Sequence, residues 1–245
     1  MVAVVVVVIV VVFFALGGFS SGSSKGGSTG TTFAPANSDA NQSANAVPGG
    51  PWDLVTALGF SPAAVSQTNS SSSVGSGCTV APAGGGTIPS TVSIPAFSGS
   101  FSSGKATWWG MFYYQPTTQQ VLVVEVENGA ATPLLIASGA CVSEFQNLSA
   151  VPADVVDSSA AASTAWSQGG SAFSSVHSNL TLNLEMAIVG GGSYGGTTIG
   201  PTWLIEYSPC LPLGLGGPTG EQPEFEAVVD AVSDTATTLV TSTTC

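Results

Sequence analysis

Thr202-Trp203-Leu204-Ile205-Glu206-Tyr207-Ser208 alternates with a period of two, the spacing that sends successive side chains to opposite faces of a β-strand. Trp203, Ile205 and Tyr207 share one face; Thr202, Leu204, Glu206 and Ser208 share the other. Two bulky aromatics and an isoleucine on one side require a packed layer against that side, so this strand belongs to a sheet covered by another element. The element is legible just upstream. Asp157-Ser158-Ser159 is a helix-capping run ahead of the alanine-rich stretch Ala160 to Trp166, and Gly169-Gly170 interrupts or ends that helix. Phe173 and Val176 extend it by a turn. Further strands are expected at Leu180 to Val189, Phe225 to Val232 and Thr238 to Val240, which makes a helix packed on an antiparallel sheet.

The first half follows a similar plan. Thr107 to Tyr114 is dense in aromatic, strand-favouring residues, and Gln120 to Glu127 continues in a valine-rich run. Asn128-Gly129 is the pair that type I′ hairpin turns require, because both central residues take positive φ. Thr132 to Ile136 then completes a meander. Asp53 to Leu58 reads as a short helix ended by Gly59 and Pro62, and Ile94 to Phe101 as an extended edge segment. Trp109-Gly-Met-Phe-Tyr113 and Trp203-Leu-Ile-Glu-Tyr207 share the pattern W-x-apolar-x-Y, which suggests two related lobes.

The order of the helix from Asp157, the strand Leu180 to Val189, Trp203-Leu-Ile-Glu-Tyr207 and Phe225-Glu-Ala-Val-Val-Asp230-Ala231 resembles the PepSY domain. That family is a small extracytoplasmic module of helix and antiparallel sheet. Val229-Asp230-Ala231 matches its V-D-A strand, whereas Ser233-Asp234-Thr235 replaces its glycine turn, and the glycine-rich insert at 190–200 departs from it. The likeness covers roughly 157–240. It implies a binding or regulatory module, one associated with secreted peptidases and the inhibition of proteolysis, more than an enzyme.

Ahead of both lobes stands a nearly pure valine run, Val2 to Val12, within an uncharged stretch reaching Phe19. As a helix, 18 residues span about 27 Å, enough for the hydrocarbon core of a bilayer. The strictly apolar part, Val2 to Leu16, also sits at the upper edge of a signal-peptide core. An uncleaved anchor and a cleaved signal both remain open; the missing basic flank and the poor small-x-small site at Ala15-Leu16-Gly17 favour the anchor. From Gly17 to Gly50 the chain turns to Ser, Gly, Thr, Asn and Ala, a composition expected to form a flexible spacer.

Only 7% of the 245 residues are charged, against about a quarter in an average domain. There are two lysines, Lys25 and Lys105, no arginine, and 14 acidic residues, for a formal net charge of −12. Nucleic-acid binding is excluded by the lack of basic surface. In acid the carboxylates take up protons and few cations remain to repel one another, so such a surface tolerates an acidic habitat.

Four cysteines in a chain that reads as exported argue for disulfides. Of the three pairings, Cys78 with Cys141 and Cys210 with Cys245 is favoured, since Cys210 and Cys245 each follow a strand of the second lobe. Metal binding is disfavoured by the spacing and by a single histidine, His177. Sequons at Asn41, Asn69, Asn147 and Asn179 are candidate glycosylation sites.

Other motifs fail on context. Gly18-Phe19-Ser20-Ser21-Gly22 lacks the strand and helix of a nucleophile elbow. Gly190 to Gly195 matches G-x-G-x-x-G without a following helix, which makes it a hairpin loop. His177 has no acidic or nucleophilic partner by spacing. Asp157, Glu185, Glu206 and Asp230 are the carboxylates that could converge, but a solvated strand face accounts for Glu185 and Glu206.

The sequence thus describes an α+β protein: an antiparallel sheet, in two related lobes, with one or two packed helices and a preceding N-terminal hydrophobic helix. Residues 1–19 form the anchor or signal, 20–51 the linker, 52–150 a β-rich lobe and 151–245 the helix-plus-sheet lobe. The expected function is binding rather than catalysis, outside the cell, anchored in the cytoplasmic membrane or alternatively secreted. No catalytic, cofactor or metal residue is assigned. The expected partners are the membrane, through the N-terminal helix, and a protein such as a secreted protease. A modulator of extracellular proteolysis, and a filament or surface-layer subunit assembling through the hydrophobic helix, are the other classes.

Overall fold

A computed structural model of the chain describes residues 28–64, 66–69, 77–84, 91–194, 197–210 and 218–245. The hydrophobic segment 1–19, Ser20 and Lys25 lie outside the described residues, and no helix among them is long and apolar enough to cross a membrane.

Among the described residues nine strands form one antiparallel sheet. In chain order its members are β1 (Asp53–Ser61), β3 (Cys78–Pro82), β5 (Trp108–Gln115), β6 (Gln120–Glu127), β7 (Ala130–Gly139), β8 (Asn183–Val189), β11 (Thr202–Ser208), β12 (Glu221–Asp230) and β13 (Ala236–Thr244). Short pairs of β2 (Ser66–Asn69) with β4 (Thr91–Ile94), and of β9 (Gly192–Tyr194) with β10 (Thr197–Ile199), stand apart from it. The spatial order is β13-β12-β11-β8-β1-β5-β6-β7-β3. Strands of 52–150 and of 151–245 therefore share one sheet and meet along β1 and β8, with Leu58 opposite Ala187.

Outward from that seam each half repeats one order. Helix α1 (Phe33–Asn45) precedes β1, β5, β6 and β7 and packs on the last three. Helix α2 (Ser158–Ala165) precedes β8, β11, β12 and β13 and packs on the last three. A wide π-type turn, Trp166–Gly170, joins α2 to α3 (Ser171–Val176), with Gly169 at φ 149°. That turn is the interruption expected at Gly169-Gly170.

The helices cover one face of the sheet. There Trp109, Met111 and Tyr113 of β5 and Trp203, Ile205 and Tyr207 of β11 enter one core, as the period-two patterns require. Gly59 makes room for Trp109 on the neighbouring strand, since a Cβ at Gly59 would meet the indole at 2.7 Å. The opposite face buries Leu58, Phe60, Trp108, Phe112, Val123 and Leu204 with Phe145, from the 3₁₀ segment Ala140–Asn147.

Two expectations are corrected. The linker reading of 20–51 fails from Ser28 onward, because 33–45 is helical and Phe33, Ala36, Ala40, Ala44 and Val47 are buried. The stripe is made of alanines at helical spacing, which hide in composition yet let a helix lie close to a sheet. Asp53 to Leu58 is a strand, not a helix. It runs through the sheet centre between β8 and β5, buried on both faces, where a short continuous apolar run reads as well for strand as for helix.

Disulfides join Cys78 to Cys141 and Cys210 to Cys245, with Cα separations of 5.4 and 5.2 Å. The first ties edge strand β3 to the 3₁₀ segment. The second ties the end of edge strand β13 to the exit of β11.

Candidate functional site

Helix α1, the start of β1 and the segment 150–157 enclose a cleft of about 500 Å³. Phe33, Trp52 and Leu54 supply apolar walls, while Asn37, Asn41, Asp53 and Asp157 add carboxamide and carboxylate side chains to its lining. Asn37 and Asn41 are one helical turn apart and so share an edge of α1. Asn41 is held from below, its Oδ1 accepting a hydrogen bond from Tyr113 Oη at 2.9 Å.

Asp157 does not cap its own helix. Its Oδ1 accepts from the Ala34 amide at 2.7 Å, and its Oδ2 from Ser159 Oγ at 2.9 Å. Ser158 Oγ accepts from the Phe33 amide at 2.8 Å and donates to the Gly104 carbonyl at 2.6 Å. The capping run at 157–159 thus satisfies the first amides of α1, placing a carboxylate at a helix N-terminus and fixing the cleft's far wall. Asn37 Oδ1 is buried without a hydrogen-bond partner among the described residues.

In the second half the ring matching Tyr113 is Tyr207. Trp166 meets it edge-on and Phe101 stacks on it, each at 5.7 Å between centroids. Tyr207 Oη is buried and has no partner among the described residues. Burial pushes both phenols well above their usual range. Aromatic packing surrounds Tyr207, whereas the environment of Tyr113 includes the polar edge of α1.

A second cluster lies on the opposite face of the sheet. Glu185 of β8 is directly opposite Glu206 of β11, and Glu206 is directly opposite Glu226 of β12. Glu224 is two residues along β12 on the same face. Burial, then neighbouring glutamates, raise Glu185, Glu206 and Glu224 above the usual carboxylate range. On β6, Glu127 is pushed up to about 7 by burial and by Glu125, which accepts the Trp108 indole N–H at 2.6 Å. The solvated face expected for Glu185 and Glu206 is therefore corrected: both are half-buried. Alternation within each strand does not relate the two residues; the pairing register is what makes them direct neighbours.

The remaining residues disperse. Asp230 closes the β12–β13 turn, accepting from the amides of Val232 and Ser233, and these bonds lower its pKa. His177 ends α3 with its ring 4.6 Å from that of Phe173. Gly192 to Tyr194 belong to a small hairpin with β10. Asn147 and Asn179 are exposed outside the strands, Asn41 lies on α1 at the cleft, and Asn69 ends β2. Among the described residues no group of three or more His, Cys, Asp or Glu side chains is arranged to hold a metal ion.

No protein-family model, no curated protein and no solved structure matches the chain.

Proposed function

We propose that this chain is an extracytoplasmic binding protein, tethered to the membrane by its hydrophobic N-terminal segment or secreted, and that the cleft beside α1 is its site. The observation that carries this reading is the cleft itself: apolar walls with a few converging polar groups, on a scaffold whose helix start is fixed by Asp157 and Ser158. Asp53 and Asp157 give the cleft negative charge beside the Asn37 and Asn41 carboxamides, so the fitting ligand carries a cationic donor, such as an amino sugar or the amine of an extended peptide. Two disulfides fit an oxidising compartment. The repeated order of helix and strands supports reading the halves as related lobes.

A second reading, a PepSY-like modulator of proteolysis, is favoured by the order of α2, β8, β11, β12 and β13 from Asp157 onward.

Calorimetry of the full chain in detergent against amino oligosaccharides, extended cationic peptides and a secreted protease separates the two. Ser38 is exposed on the cleft wall, so Ser38→Trp fills the cleft without touching the core. Binding of a sugar or peptide that Ser38→Trp abolishes, with unchanged melting, supports the cleft. Association with the protease alone, indifferent to Ser38→Trp, supports the second reading and sinks the first.

A further inference from the structure

The row of glutamates lies on the outer half of the sheet, and no cation balances it among the described residues. Glu206 has Glu185 on one side and Glu226 on the other, at directly paired positions. Like charges directly opposite on adjacent strands destabilise their pairing.

The other groups on that face add no positive charge. They are Glu125 and Glu127 of β6, Tyr114 of β5, and Glu144 in the 3₁₀ segment packed over the sheet. Leu239 and Thr241 of β13, opposite Glu226 and Glu224, are neutral, as is Phe60 of β1 opposite Glu185. Residues 65, 70–76, 85–90, 195–196 and 211–217 contain no ionisable side chain at all. The chain's cations are Lys25 and Lys105, with His177 on α3 against Phe173. Lys105 precedes β5, where its carbonyl accepts from Ser61 Oγ.

The opposite face of the same strands is well packed, with Phe225, Ala227 and Val229 of β12 and Trp203 and Ile205 of β11 in the core. Two opposed influences thus act on β11–β13: apolar burial on the helix side and carboxylate repulsion on the other. The Cys210–Cys245 bond limits how far β13 can separate.

We propose that the Glu185–Glu206–Glu226 row, with Glu224, makes closure of β11–β13 onto β8 acid-dependent. The outer sheet is tight when Glu185, Glu206 and Glu224 carry protons and loosens as these three ionise toward neutral pH beside Glu226. The disulfide keeps the loosened strands attached, so the change is reversible.

Hydrogen exchange of the full chain in detergent, at about pH 4 and pH 8 and corrected for intrinsic rates, tests this. Protection of Glu221–Asp230 should fall about tenfold or more at the higher pH, as expected when at least one proton is linked to closure, while Trp108–Gln115 holds. Glu185→Gln with Glu206→Gln, which mimics the protonated pair, should keep β12 protected at both pH values. Glu221→Gln, an exposed control, should respond as wild type. Equal loss in β5 and β12, no loss, or loss persisting in the double variant overturns the proposal. So does failure of that variant to fold, since a neutral pair is the state held to favour closure.

Discussion

Trp109 and Trp203 stand edge to face across the middle of the sheet, 6.4 Å between ring centroids at 70°. Each donates its indole N–H to a carbonyl two residues ahead of a helix, Trp109 to Thr31 and Trp203 to Val156, both at 3.0 Å. Phe33, the first residue of α1, meets both rings edge-on, at 5.8 and 5.3 Å. The three rings lock both helices to both halves of the sheet.

Trp203→Ala should therefore cost about 3–5 kcal/mol, the range for a large buried aromatic, a sizeable share of domain stability. Val176→Ala, at a residue 75% exposed, should change little. Denaturant unfolding of both variants checks the contrast, and equal effects would show that the aromatic centre does not organise the fold.

The tyrosines at the ends of the two Trp strands should part company. Tyr113→Phe breaks a bond to Asn41 and should cost about 0.5–1.5 kcal/mol. Tyr207→Phe removes a buried hydroxyl with no described partner and should be neutral or slightly stabilising. Paired thermal melts measure the difference in sign.

Non-reducing peptide mapping should recover Cys78 linked to Cys141 and Cys210 to Cys245, with no free thiol. Replacing either pair by serine should cost about 2–4 kcal/mol. Both bonds hold edge strands, so amides of β3 or β13 should lose protection first in the corresponding variant.

Stability should be highest in acid. Glu127, raised to about 7 in the folded chain, binds protons more tightly there than when unfolded. Its contribution is fully present below the ordinary carboxylate value of about 4.5 and is lost as pH rises through about 7. Asp230, lowered by backbone hydrogen bonds, acts in the opposite sense and loses its contribution as pH falls, but it lies exposed at a turn. Melting temperature should therefore fall from about pH 4.5 to pH 7.5, and Glu127→Gln should flatten that slope.

Much of the sheet was legible in the sequence because β11 announces itself by alternation, and β5 and β6 by strand-favouring residues and by Asn128-Gly129, where both residues take positive φ. Helix α1 was not, because its buried stripe is alanine and its exposed residues are those of a linker. The cleft was hidden for the same reason, since it needs α1 as a wall. Asp157 was read as the cap of the helix that follows it, but its side chain accepts instead from the amide of Ala34, a long-range partner that local spacing cannot reveal. The glutamate row required the pairing register, which one strand at a time does not disclose.

Protease added to intact cells tests the central claim, that the folded domain lies outside the membrane. The account predicts that protease removes the domain from intact cells, the exposed Asn179 turn and the β12–β13 turn being among the sites open to it, while cytosolic markers survive. Survival of the full chain until the cells are lysed, with its recovery among soluble cytosolic proteins, would contradict it.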